Sequence, residues 1–200
     1  MTKVPLKYLP KRLSPKDKKA YSVELRKSRR SYKKGKYITR KRVKSFNARP
    51  SKYVVAAKKL YDVETISANP HLAQKTGCSV DALGKIVKKG QGAYYSSGSR
   101  PNQTGHSWGR ARLASAITGG KAAAIDFLIL KEGCKPNSKA LTLAKKARRK
   151  HGKGTRKVPK TKMRGGTQDS LQCIGARDGV SGCRSCCDLD QACIDECMKF

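Results

Sequence analysis

Acidic side chains are scarce in this sequence. Thirteen Asp and Glu stand against 47 Lys and Arg over 200 residues, a formal charge of +34. A chain with that balance repels itself and calls for a polyanion or an acidic surface to neutralise it. Long apolar runs are missing as well. The longest, Ala122 to Leu130, is interrupted by Asp126 and falls far short of the ~20 residues a helix needs to cross a bilayer. No membrane span is expected, although an acidic membrane surface stays open as a partner. The residues from Met1 to Leu13 carry Lys and Pro and no apolar run, so no secretory leader is expected and the sequon at Asn102 is read as chance. Histidine is limited to His71, His106 and His151. A Ser99–His106 pair lacks a third partner and an oxyanion site, and nothing else assembles a nucleophile, a base and an orienting group. The chain reads as a non-enzyme without a cofactor.

The cations that are present are unevenly placed. Residues 1–60 hold 22 Lys/Arg and two Asp/Glu, residues 61–134 nine against five, and residues 135–164 thirteen against none. Residues 165–200 reverse the sign, with three against six. The expected organisation is a basic N-terminal arm with one helix (1–50), a helical core domain (51–134), a basic helix and linker (135–170) and a cysteine-rich tail (171–200). The fold class is mainly α: a small helical domain with extended basic arms and a short cysteine-rich C-terminal module.

Helix signals are frequent. Ser14-Pro15-Lys16-Asp17 opens one that runs to about Lys34 and stops at Gly35. Its apolar stripe is thin, so it is expected to order on a partner. Tyr37 to Phe46 reads either as an extended segment on an acidic surface or as a solvated linker. Ser51 caps the next helix. Pro70 to Thr76 ends at Gly77, and Ser79 caps a helix that stops at Gly90. A polar Gly/Ser loop is expected after Gly90, with Tyr94, Tyr95 and Trp108 packing beneath it. Trp108 to Gly119, Lys121 to Leu130 and Ser138 to Lys150 complete the set.

Leu72 to Ile86 has the rhythm of a helix-turn-helix, with Gly77 in the turn and Val80, Leu83 and Ile86 burying the second helix. That helix would offer Ser79, Asp81, Ala82 and Lys85 to a groove, but no Arg, Asn or Gln stands at its front to read base edges. A plain helical hairpin is the preferred reading. The candidate anion- or partner-binding residues are Arg100, Arg110, Arg112, Lys85, Arg40 and Arg42. The Gly/Ser loop lacks the order of a P-loop, and an ordered structural loop is preferred there over an anion cradle.

Cys173, Cys183, Cys186, Cys187, Cys193 and Cys197 crowd the tail. On helices, Cys183/Cys187 and Cys193/Cys197 would each share a face and staple a hairpin by two disulfides. Cys183, Cys186, Cys193 and Cys197 also have usable zinc spacing. Cys78 and Cys134 read as buried small apolar residues.

From about Leu9 to Leu130 the chain resembles an uncharacterised basic domain family of large nucleocytoplasmic DNA viruses, those of algae and of amoebae. The resemblance rests on LPKRLSPKDKK, LRKSRRSYKKGKYITRKRVKSF and KKGQGAYYSSGSRPNQTGHSWGRARLASAITGGKAAAIDFLIL. The tail motif SGCRSCC…ACIDECM is similar to C-terminal pieces of proteins from that group. No catalytic residues follow from it. It implies a setting: the virion, with the protein made in the host cytoplasm and not secreted. Such viruses commonly encode thiol oxidases, which tilts the tail toward disulfides. The favoured expectation is a minor capsid or internal basic virion protein whose arms cement major and minor capsid proteins. The alternative is a protein that condenses viral DNA without sequence preference. The two differ in one respect: a condensing protein spreads its Lys/Arg evenly around the surface or along its arms, whereas a cement needs extended arms whose apolar residues Tyr8, Leu9, Leu13, Tyr37, Ile38 and Phe46 fit into pockets on other proteins.

Overall fold

Small polar side chains start most of the helices. In the computed structural model, which describes residues 3–152 and 159–163, Ser14 Oγ accepts the Asp17 N–H at the start of α1 (Pro15–Lys33). α2 (Lys52–Tyr61) follows Ser51, whose side chain makes no cap bond. Asn69, Ser79 and Ser138 cap α3 (Pro70–Thr76), α4 (Val80–Ser96) and α8 (Lys139–His151). Thr104 and Ser107 form a reciprocal capping box at α5 (Gly105–Ile117). Each such cap is worth ~1 kcal/mol. α6 (Lys121–Ile125) and α7 (Phe127–Gly133) lie between α5 and α8. Two short strands, β1 (Lys3–Pro5) and β2 (Lys160–Lys162), pair antiparallel with Val4 opposite Thr161. The chain is therefore mainly α, as its sequence predicts. Among the described residues no helix is long and apolar enough to cross a membrane.

All the described residues belong to one unit spanning residues 2–163. Its larger core gathers Tyr61, Ile66, Leu72, Leu83, Ile86, Leu113, Ile117, Leu130 and Leu141 from α2 to α8. A smaller core joins Val4, Tyr8, Leu9, Leu13, Tyr21, Leu25, Val43 and Met163, with Phe46 and Trp108 against it. The expectation that the first fifty residues form an extended arm is corrected by this second core. α1 packs on α4 of its own chain. Few as its apolar residues are, Tyr21 and Leu25 share one face and are fully buried, and residues from both ends of the unit complete their surroundings. The tail cysteines Cys173, Cys183, Cys186, Cys187, Cys193 and Cys197 lie outside the described residues.

The loop expected after Gly90 is instead helix as far as Ser96. Gly90 does not stop α4; it lets α5 approach. A Cβ at Gly90 would sit 2.6 Å from Gly109 Cα, and one at Gly109 would sit 2.9 Å from the Val87 carbonyl oxygen. The two glycines face each other where the helices cross. Conversely, the single helix expected over Lys121 to Leu130 breaks at Asp126 into α6 and α7. The break turns the Asp126 carboxylate fully inward, where Arg112 Nε and Nη2 donate to it at 2.7 and 2.8 Å and Lys89 Nζ lies 2.9 Å away.

Candidate nucleic-acid interface

Helical spacing segregates the cations of α1. Tyr21, Ser22, Leu25 and Ser28 are buried. Lys16, Lys19, Lys27, Arg30 and the capping Lys34 are exposed on the opposite side, at offsets that keep them in one row. From Lys16 to Lys34 the row runs about 27 Å at the helical rise. Its two acids do not interrupt it. Asp17 Oδ2 accepts the Ser45 N–H at 2.7 Å, and Glu24 Oε2 accepts the Lys41 N–H at 3.1 Å. Ser45, first through its side chain and then through its backbone N–H, holds the Asp17 carboxyl below its ordinary range.

α8 repeats the pattern. Ala140, Leu141, Ala144 and Ala147 are buried, while Lys139, Lys145, Lys146, Arg149 and Lys150 are exposed and no acid lies within the helix. A third group of cations comes from segments distant in sequence. Lys7 lies over the rings of Tyr8 and Trp108, at 5.6 and 5.9 Å from their centroids. Burial lowers its pKa, and the charges of Arg100 and Lys121 lower it further.

The candidate residues read from the sequence divide between surface and interior. Arg42, Arg100 and Arg110 are exposed, Arg110 with its Nε donating to the Ile66 carbonyl at 3.2 Å. Lys85 is exposed and paired to Asp81 one turn earlier at 2.7 Å, which raises its pKa. Arg112 is turned inward to Asp126. Arg40 is only 5% exposed. Its Nη1 donates to Ser28 Oγ (2.9 Å) and the Tyr94 carbonyl (3.0 Å), its Nη2 to Ser99 Oγ (2.8 Å), and its guanidinium lies 3.7 Å over the Tyr94 ring. Arg40 and Arg112 thus build the fold and are not available to a partner.

Arg40 also fixes residues 36–46, which are neither a strand nor a free linker. Asn102 Oδ1 accepts the Val43 N–H at 2.8 Å, and its Nδ2 donates to the Val43 and Phe46 carbonyls. Ser99 and His106 are not partners. Ser99 Oγ donates to the Arg100 carbonyl at 2.7 Å, and His106 Nδ1 faces Gln91 Nε2 at 3.2 Å.

The helix-turn-helix rhythm leads to a turn pinned to the end of α7. Cys78 and Cys134, expected as separate apolar residues, form a disulfide. They oppose one another in an antiparallel bridge, with Ser79 N–H donating to Gly133 O at 2.7 Å and Lys135 N–H to Gly77 O at 2.8 Å. A Cβ at Gly77 (φ +70°) would lie 2.9 Å from Ser138 Cβ. Ala82, expected to face a groove, is buried, whereas Val80, expected to be buried, is 40% exposed. Ser79, Asp81 and Lys85, also expected to face a groove, are exposed.

Each cation in the rows of α1 and α8 is ordinary by itself, so sequence reasoning misses them as sites; the signal is their recurrence at helical period, with Val23 standing in the α1 row between Lys19 and Lys27. A search of curated proteins finds no match, and neither does a search of solved structures. One family model does match, over residues 5–137, which take in α1 to α7, both disulfide cysteines and the Arg40 cluster. On that match, which covers about two thirds of its length, the chain belongs to the family of unknown function DUF5824.

Proposed function

We propose that this protein binds nucleic acid without sequence preference, through its phosphates. The observation that carries the reading is the row of cations on α1, uninterrupted by acid because Asp17 and Glu24 are bonded to the chain's own backbone. A row of point charges along a rigid helix neutralises phosphates and reads no base edge. The exposed face of α8 supplies a second such surface. Of the arm residues that a cement would need outside, Tyr8, Leu9 and Leu13 are buried within their own unit, which weighs toward this reading, while Tyr37 is 68% exposed.

The test is fluorescence anisotropy with two unrelated DNA duplexes of equal length over a salt series. Equal affinities are expected, with a slope of log K against log salt of about −4 or steeper. Replacing Lys19, Lys27 and Arg30 by Glu should flatten that slope by at least ~2.7, at about 0.9 per lost phosphate contact. Binding that ignores salt, or no binding at low salt, would sink the proposal.

A second reading is a structural role in the particle of a large DNA virus, docked on capsid proteins. It is favoured by the resemblance to the viral domain family and by exposed Leu128 (64%) and Val55 (59%). Fractionating purified particles into shell and core, with mass spectrometry following the protein, separates the two. Recovery with the shell after nuclease treatment supports the structural role. Release from the core by salt or nuclease supports nucleic-acid binding.

A further inference from the structure

Beside α1, the end of α4 and the start of α5 enclose an open groove of about 460 Å³. That is within the ~300–1,000 Å³ common for ligand clefts. Tyr32, Tyr37 and Tyr95 line it, together with Lys88, Gln91, Gly92 and His106. The rings form a chain of edge-to-face contacts. Tyr32 and Tyr37 centroids are 5.9 Å apart, Tyr37 and Tyr95 5.2 Å, and Tyr95 and Tyr94 4.9 Å. The inner end of the chain is fixed, because Tyr94 is fully buried beneath the Arg40 guanidinium. Tyr95 is held by α5, where a Cβ at Gly105 would come within 2.9 Å of its hydroxyl. The outer end is open: Tyr37 is 68% exposed. A large aromatic ring held at its edge and exposed to water is a stacking platform that needs no reorganisation before use.

The surroundings select the occupant. Among the described residues, no acid lines the groove. Lys33, Lys34 and Lys36, all exposed, flank Tyr32 and Tyr37 in the chain, and exposed Lys88 lies in the lining. The floor at Gly92 carries no side chain, although a Cβ there would meet only the Tyr32 hydroxyl, at 3.9 Å. Helix packing therefore does not demand a glycine; its effect is to keep the floor clear. The amide of Gln91 and the imidazole of His106 give polar edges without a fixed donor pattern. Aromatic faces bordered by cations hold unpaired bases, the rings taking the base and the lysines its phosphates.

We propose that this groove binds single-stranded nucleic acid, with an unpaired base stacked on Tyr37 and its flanking phosphates on Lys33, Lys36 and Lys88. The proposal deepens the nucleic-acid reading above and rests on it. A duplex keeps its bases stacked on each other and cannot use the ring, so the groove adds affinity for single strands alone.

The experiment measures binding of the full-length protein to a labelled oligothymidylate, to an abasic strand of the same length and to a duplex, at one salt concentration. Stacking is worth ~1–3 kcal/mol per base, so Tyr37→Ala should weaken oligothymidylate binding about fivefold or more. Tyr37→Phe should retain it, and Gly92→Leu, which fills the floor, should weaken it like Tyr37→Ala. Duplex binding should stay within about twofold in all three, and wild type should prefer the thymidylate strand to the abasic one. Tyr37 is largely exposed, so its truncation leaves the fold intact, which a thermal melt checks. Tyr37→Ala binding the thymidylate strand as wild type does, or wild type failing to separate it from the abasic strand, overturns the groove while leaving phosphate binding by α1 standing. Failure of wild type to bind any of the three probes removes both.

Discussion

Arg40 and Arg42 stand two residues apart in a run of cations, and their fates are opposite: one is buried and the other exposed. Nothing local distinguishes them. Ser28, Tyr94 and Ser99 come from three other segments to receive the Arg40 guanidinium, and planar Arg suits such a site where the point charge of Lys would not. Arg112 repeats the case. Its partner Asp126 has no exposed side-chain surface, and the second cation, Lys89, is half exposed. Removing Arg112 leaves a buried carboxylate with one partner at the rim. Arg112→Ala should therefore cost about 3 kcal/mol in urea unfolding with an unchanged m value, the expected result of breaking a buried pair. A loss below ~1 kcal/mol, the surface-pair range, would show that Asp126 is not held as described.

At the scale of elements, glycine illustrates how one residue type serves opposite ends. Gly90 permits the crossing of α4 and α5, whereas a Cβ at Gly84, in the same helix, would meet nothing within 4 Å. Gly84→Ala should raise stability by up to ~1 kcal/mol through helix propensity. Gly90→Ala gains the same propensity but forces α5 outward, for a net loss of about 1–3 kcal/mol. Thermal melts of the two variants should move in opposite directions. The Cys78–Cys134 disulfide joins the α3–α4 turn to the end of α7 across a separation of 56 residues. Closing a loop of that length is worth ~2–4 kcal/mol. The double variant Cys78→Ser, Cys134→Ser should lose that stability while the tail cysteines are left as they are. A wild-type melting temperature in the double variant would contradict it.

For the whole molecule the governing quantity is charge. Residues 3–152 and 159–163 hold 40 Lys/Arg and only seven Asp/Glu, and several of those acids are committed internally. Cations held that close destabilise the folded chain through self-repulsion; at Lys7, whose pKa burial lowers first, the charges of Arg100 and Lys121 lower it further. A polyanion that binds the folded surface should stabilise it by linkage. DNA or polyphosphate at ~100 times its Kd should add about 2.7 kcal/mol and raise the melting temperature by several degrees. An unchanged melt in saturating polyanion would exclude these surfaces as its binding site.

Much of the helical architecture was legible in the residues. Ser14, Ser79 and Ser138 start helices and Gly77 ends one, because capping is a local exchange of hydrogen bonds. The cationic faces of α1 and α8 follow equally from spacing. The breaks and crossings did not. Gly90 as a stop and Gly90 as a contact have the same local sequence, and only Gly109 opposite decides between them. Asp126 ends a helix because Arg112 and Lys89 receive it inside, and Cys78 finds Cys134 only once α7 is in place. The groove at Tyr37 likewise needs Tyr32 and Tyr95 brought together from two helices. The amino-acid sequence by itself determined a helical, strongly basic chain, since caps, helical period and charge act within a few residues. Tertiary structure alone decided which cations turn inward, that residues 4–46 pack on their own chain and where an open aromatic surface lies, because each depends on partners distant in the chain.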